Sequence, residues 1–234
     1  MAKSIELLEV GASPLSAEVR EAIARLWKQR KEELPAGTFD GPIFSLAGSA
    51  ERTEGDETVY LTSYAHYAVN HLLDEPWRCR SVAAGYLPIS ADGAYILVRD
   101  VGSRSEYSGR VKFLSGAAHP QDVSGGRLDL RATADRELAE ESPSMSRLVR
   151  GGLIGHGITI FRRAPVGVGM ITIFPTRLPV TLDSILASWG TSQDDEEILE
   201  PVPIRETADL AAIPHVAYAI DVLSRELSRA AQSA

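Results

Sequence analysis

Positive charge, cysteine and long apolar runs are all scarce in this chain, and each scarcity argues against a class of function. Lysine and arginine number 24 against 32 acidic residues, a net charge of −8. Binding to nucleic acid generally calls for a basic stripe, so nucleic acid is not an expected partner. A small anionic molecule stays open, because a divalent metal supplies positive charge locally. The one cysteine, Cys79, leaves no intramolecular disulfide and points to a reducing, cytoplasmic compartment. Arg78 and Arg80 beside it would lower a thiol pKa, but an idle, buried thiol is the commoner fate. No apolar run approaches the roughly 20 residues of a membrane span. The longest, "VGVGMITIF", reads as a buried strand. The opening "MAKSIELLEV" carries acids among its apolar residues and does not read as a signal peptide. There is no internal repeat and no low-complexity tract.

The 234 residues, 44% hydrophobic, suit one globular unit with ample core. "SAEVREAIARLWKQRKEEL" places Val19, Ile23, Leu26 and Trp27 at helical spacing, with Ser16 as N-cap. "IFSLAGSAER" and "ETVYLTSY" read as strands joined by the polar "TEGD", and "AHYAVNHLL" as a short helix ended by Pro76. "SVAAGYLPIS-ADG-AYILVRDV" is a hairpin turning at Asp92-Gly93. "GRVKFLSG" reads as one short strand, followed by a polar loop "AAHPQDVSGGR". "LDLRATADRELAEE" reads as a helix, with Leu130, Ala134 and Leu138 facing the core. "GGLIGHGITIFRR" and "VGVGMITIFPTRL" read as two long strands. "TLDSILASW" is a short helix, "EILEPVPI" a last strand and "HVAYAIDVLSRELSRAAQ" a closing helix. Strands with helices set between them imply an α/β or α+β sandwich. Residues 1–75 read as an extension packed on a core formed by 76–234.

One stretch of the third helix stands out. In "ADRELAEES", Glu137, Glu140 and Glu141 sit at i, i+3 and i+4, so their carboxylates share one side of a helix. Like charges so placed cost helix stability unless a cation lies among them. The plain alternative is a solvated face with an ordinary Arg136–Glu140 pair.

The order of these features resembles the Nudix hydrolase family, whose signature is Gly-x5-Glu-x7-Arg-Glu-apolar-x-Glu-Glu-x-Gly-apolar in a loop–helix–loop. "RELAEE" (136–141) matches its helical half letter for letter. Ser115-Gly116-Ala117 stands where the family has Pro-Gly-Gly. The loop half departs: the signature glutamate falls at Leu128, the loop from Gly116 is about five residues longer, and Pro143 and Ser144 follow the glutamates. Asp122 and Asp129 are the acids available to substitute. A narrower resemblance is to the UDP-glucose and UDP-galactose pyrophosphatase branch, which has segments similar to "TFDGPIFSL" (38–46) and "LTSY" (61–64) in that order. Its long loop is similar to "SGAAHPQD", and its downstream glutamate aligns with Glu197. Ser45 stands where the branch tends to have a basic residue.

The resemblance implies a Nudix-type α/β/α sandwich with a mixed sheet and an N-terminal extension. It implies a hydrolase of a nucleoside diphosphate linked to another moiety, foremost a UDP-sugar giving UMP and a sugar 1-phosphate. Mg²⁺ or Mn²⁺ would be the cofactor, held by Glu137, Glu140, Glu141 and the Gly116 carbonyl, since hard cations take oxygen ligands. Glu137 is also the candidate proton acceptor, Arg136 its brace and Glu197 a further ligand or base. Phe39 and Phe44 are candidates to stack on the base, Asp40 and Tyr64 to contact the nucleoside, and Arg99 and Arg104 to meet phosphate; for each the plain alternative is packing or solvent. His119, in the loop, is a candidate proton donor. His66 and His71 lack metal-ligand spacing, and "GVGMI" and "GGLIGHG" lack the strand–loop–helix setting of a phosphate-binding loop. A Nudix-fold module that binds a nucleotide without cleaving it is the competing expectation.

Overall fold

The computed structural model describes residues 5–34, 38–47, 58–100, 109–161, 169–189 and 199–233. The first part comprises β1 (Leu7–Gly11), α1 (Ala17–Lys31), β2 (Pro42–Leu46), β3 (Thr58–Ser63) and α2 (Tyr64–Ala68). Then come β4 (Val82–Ile89), β5 (Tyr95–Asp100), β6 (Val111–Lys112), β7 (Leu114–Ala117), β8 (Val123–Ser124) and β9 (Arg127–Asp129). Two helices follow, α3 (Leu130–Glu141) and α4 (Pro143–Arg150). The remainder is β10 (Leu153–Ile154), β11 (Ile158–Phe161), β12 (Met170–Arg177), α5 (Leu182–Trp189), β13 (Leu199–Ile204), α6 (Thr207–Ala211) and α7 (Ala219–Ser233).

The larger sheet runs β10-β12-β4-β5-β13, with β11 also on β12, β6 on β5 and β7 on β4. β12 and β4 are parallel and their other pairings antiparallel, so the sheet is mixed. All eight residues of β4 are buried, as expected of a strand covered on both faces. Its pleat divides them. Val82, Ala84 and Tyr86 join a core with Ala134 and Leu138 of α3, Met145 and Val149 of α4, and Ile185 of α5. Ala83, Leu87 and Ile89 join another with Leu210 of α6 and Val222 and Leu223 of α7. The chain is therefore an α/β/α sandwich around a mixed sheet, the fold class expected.

A second mixed sheet runs β2-β3-β1-β9-β8. Leu8, Phe44, Leu46 and Val59 from it enter the same core as Leu138 of α3. The segment before residue 64 thus shares an apolar core with the glutamate-bearing helix. Among the described residues no helix is long and apolar enough to cross a membrane.

Three readings of the sequence change, and one element is added. "GRVKFLSG" is two strands, because the chain switches partner from β5 to β4 at Phe113. The polar loop contains the β8–β9 hairpin, which turns on Gly125 and Gly126 at φ +57° and +76°, where a side chain is disfavoured. Residues 153–161 form two strands on opposite ends of β12. The acid-laced opening segment, given no element from the sequence, supplies β1, paired with β3 and β9.

Candidate active site

Helix α3 is fixed at its start by Asp129, whose Oδ1 accepts from the backbone N–H of Arg131 (2.8 Å) and of Ala132 (3.2 Å). Leu130, Ala134 and Leu138 are buried as the spacing predicts. That burial turns Arg136 and Glu137 toward the chain between Gly116 and Asp122.

Arg136 organises this corner. Its Nε and Nη2 donate to the two oxygens of Asp122, each at 3.0 Å, a bidentate pair. Nη2 also donates to the Ala117 carbonyl at 2.8 Å, and Nη1 to Glu137 (2.6 Å) and Glu140 (3.1 Å). Asp122 is buried and accepts further from Thr133 Oγ1 and the His119 N–H, both at 2.9 Å. Of the two acids available to replace the signature glutamate, Asp122 reaches Arg136 and Asp129 caps the helix. Burial opposes the charge on Arg136, but Asp122 and Glu137 outweigh it and raise its pKa. Burial pushes the Glu137 carboxyl up, with Arg136 pulling the other way.

Gly116 lies against Glu137. A Cβ built at Gly116 would stand 1.9 Å from Glu137 Oε2 and 2.1 Å from its carboxyl carbon, so the carboxylate occupies the place of a side chain. Glu141 turns elsewhere: its Oε1 is 3.4 Å from Lys112 Nζ, and both residues are buried. Among the described residues the glutamates of α3 thus meet a guanidinium at Glu137 and Glu140 and an ammonium at Glu141. Lys112 was not singled out from the sequence, although a lysine inside the apolar "VKFL" was a visible signal.

Among the described residues no group of three acidic, His or Cys side chains converges as a metal ion would require. Glu137 and Glu140, however, both reach one nitrogen of Arg136, so one cation can contact both. Their hard oxygens, beside a backbone stripped of its side chain at Gly116, fit a divalent ion of the Mg²⁺ or Mn²⁺ kind.

The remaining candidates are dispersed. At the start of α2, Asp40 Oδ1 accepts from Ala65 N–H at 2.7 Å and Gly41 O from Tyr64 N–H at 2.8 Å. Tyr64 packs edge-on to Trp27, their ring centres 6.1 Å apart. Phe39 is 75% exposed, whereas Phe44 is in the core. Arg99 follows Tyr95 and Leu97, which belong to the α7 side of the sheet, so it alternates away from α3; its Nη1 is 3.9 Å from Glu200. Ser45 is buried and its Oγ accepts from Arg80 N–H at 2.9 Å. Cys79 is buried and its thiol pKa is pushed up to about 12, chiefly by that burial, which disfavours a nucleophilic role. His66 is buried between Thr62 Oγ1 and the Trp77 carbonyl. His119 Nδ1 accepts from Gln121 N–H at 3.4 Å, bracing the turn that carries Asp122. Glu197 and Arg104 lie outside the described residues.

No family model matches the chain. No curated protein matches it in sequence either. Solved structures of similar shape include the C. elegans Ap4A hydrolase in a binary complex, 17% identical over 65% of this chain and 98% of that one, with a TM-score of 0.45. The MutT protein of Methanosarcina mazei is 14% identical over 62% and 91%, with a TM-score of 0.41. The NUDIX domain of Shewanella oneidensis NrtR, complexed with ADP ribose, is 13% identical over 65% and 89%, with a TM-score of 0.43. None of these reaches a TM-score of 0.5, so a functional reading rests on the chain's own residues.

Proposed function

We propose that the protein is a metal-dependent hydrolase of Nudix type that cleaves a nucleoside diphosphate linked to a second moiety, with a UDP-sugar as leading substrate. The observation that carries this reading is the seating of Glu137 against Gly116, with Arg136 tying both the glutamates of α3 and Asp122 to the same loop. A solvated helix face has no use for a half-buried guanidinium shared among three carboxylates and a carbonyl.

Glu137, Glu140, Glu141 and the Gly116 carbonyl would hold the ion. A bound Mg²⁺ or Mn²⁺ supplies charge to screen the phosphates and to acidify water. Water attacks one phosphorus, the bridging P–O bond breaks, and UMP and a sugar 1-phosphate leave. Glu137 takes the proton lost by the water. Arg136, fixed by Asp122 and the Ala117 carbonyl, keeps Glu137 and Glu140 at the loop and acts as a positioning residue.

The UDP-sugar assignment rests on "TFDGPIF" and "LTSY". The two segments are joined at the start of α2, where Asp40 bonds Ala65 and Gly41 bonds Tyr64, and strand β2 lies beside the Pro120–Asp122 turn. Phe39 is open to stack on a base. A site that hydrogen-bonds the uracil edge rejects other bases strongly, because its own polar groups would otherwise go unpaired.

The Glu141–Lys112 pair favours a second reading, a module that binds a nucleotide without cleaving it. Turnover of UDP-glucose, ADP-ribose, CDP-choline and a dinucleoside polyphosphate, each with Mg²⁺ and with Mn²⁺, separates these readings. The first expects UDP-glucose to be cleaved fastest. Equal or faster cleavage of ADP-ribose rejects the UDP-sugar assignment and leaves the hydrolase. Tight binding without cleavage of any of them supports the module.

A further inference from the structure

We propose that the outer edge of β10 is a docking site for an extended, acidic segment of another protein, added as one more strand to the larger sheet. The proposal does not rest on the hydrolase reading. β10 ends the sheet, and among the described residues no strand pairs with its outer side. Leu153 and Ile154 lie opposite Arg177 and Thr176 of β12, and Gly155 N–H donates to the Pro175 carbonyl at 2.7 Å. Bonded and non-bonded residues alternate along an antiparallel pair, so Ile154, one place before Gly155, turns its N–H and C=O away from β12. Further along, the same edge is closed by α7: Arg229 Nη1 donates to the His156 carbonyl and Arg225 Nη1 to the Thr159 carbonyl, each at 3.1 Å. Covering an edge in this way keeps it from pairing with another strand. Among the described residues β10 has no such cover, and it presents Leu153, 79% exposed, and Ile154, 41% exposed. Its approach to β12 is tight: a Cβ at Gly152 would stand 2.9 Å from the Arg177 carbonyl oxygen, so the glycine is what lets the strand lie there. Three arginines surround β10 in a chain of net charge −8. Arg150 is exposed at the end of α4, Arg177 stands opposite Leu153 with its side chain half-exposed, and Arg229 reaches His156. Glu226, which meets Arg177, is buried. These arginines would repel those of a second copy and attract carboxylates. An added strand of alternating acidic and apolar residues would meet the arginines and the Leu153–Ile154 pair in turn, while its backbone bonds Ile154.

The test uses the intact protein and a fluorescein-labelled hexapeptide of alternating Glu and Leu, with alternating Gln and Leu as its neutral control, read by fluorescence anisotropy. The acidic peptide is expected to bind saturably, and the neutral one at least about tenfold more weakly. Ile154→Pro removes an N–H that β12 does not use, so the pairing with β12 stays and an added strand loses its donor. That variant is expected to bind the acidic peptide at least about tenfold more weakly with its circular dichroism unchanged. Arg150→Glu, at an exposed position, is expected to weaken binding to a similar degree, which covers the case in which the proline variant fails to fold. No saturable binding of the acidic peptide, equal binding of the neutral one, or full binding by a folded Ile154→Pro or by Arg150→Glu would overturn the proposal. So would concentration-dependent dimers of the protein alone, seen in sedimentation and abolished by Ile154→Pro, which would give the edge to a second copy.

Discussion

Gly116 and Glu137 constrain each other at the site. A methyl group at 116 would meet only the far end of a flexible side chain, so the strand survives and the carboxylate is pushed out. Gly116→Ala is therefore expected to keep its circular dichroism and lose at least about tenfold in Mn²⁺ affinity, the scale seen when groups that orient metal ligands are removed. Unchanged Mn²⁺ affinity in that variant would show that Glu137 is not a ligand. Asp122 is a different case. It is 4% exposed and holds Arg136 through two hydrogen bonds. Asp122→Ala leaves a half-buried guanidinium short of its main partner, and urea denaturation should show a loss of about 3 kcal/mol. A loss within about 0.5 kcal/mol, the range of an ordinary surface substitution, contradicts the bracing role.

At the scale of elements, the site depends on how closely β7 approaches β4. A Cβ on Gly85 would lie 2.3 Å from the Leu114 carbonyl oxygen, and backbone cannot swing aside as a side chain can. Gly85→Ala is expected to cost about 2 kcal/mol, within the usual range for overpacking, with the loss read from thermal unfolding. Helix α7 carries a pH-dependent contact outside the site. Glu226 is buried on α7 with its Oε1 3.5 Å from Arg177 of β12, and its carboxyl pKa is raised by that burial, Arg177 opposing. A raised carboxyl pKa means the folded state holds the proton more firmly. The stability it contributes is present below the unfolded pKa of about 4.3 and is lost as pH rises through the folded value. Glu226→Gln should flatten that fall and unfold at higher temperature than the parent near pH 7; a steeper fall contradicts the burial argument. The long periodic elements were legible in the sequence, α3 through Leu130, Ala134 and Leu138 and the β4–β5 hairpin through Asp92-Gly93. The β8–β9 hairpin was not, because two- and three-residue strands carry too few positions to show alternation. Arg136 and the glutamates were legible by spacing. Lys112 was visible as a charge in an apolar strand, but its pairing with Glu141 was not, since the two lie 29 residues apart and only the sheet brings them together.

At the scale of the whole molecule, the N-terminal layer and the sandwich share one apolar cluster. Leu8, Phe44 and Val59 sit with Leu114, Leu128 and Leu138, and Thr172 Oγ1 donates to the Ile5 carbonyl at 3.1 Å. Removal of residues 1–75 strips one side of the core that backs α3. The shortened chain is expected to lose cooperative unfolding, whereas the intact chain unfolds in one transition by fluorescence and circular dichroism alike. A truncated chain that unfolds as sharply as the parent would make the layer an independent addition. The central claim is that α3, braced to the Gly116 loop, cleaves a diphosphate with a divalent metal. It is tested most directly by phosphorus NMR of UDP-glucose incubated with Mn²⁺-free, Mg²⁺-loaded protein, beside the same mixture in excess chelator and beside Glu140→Gln. The account predicts signals of UMP and glucose 1-phosphate in the first sample alone, with Glu140→Gln slower by at least about a hundredfold, as expected when a charged oxygen ligand is lost. Cleavage that persists undiminished in chelator or in Glu140→Gln would contradict it.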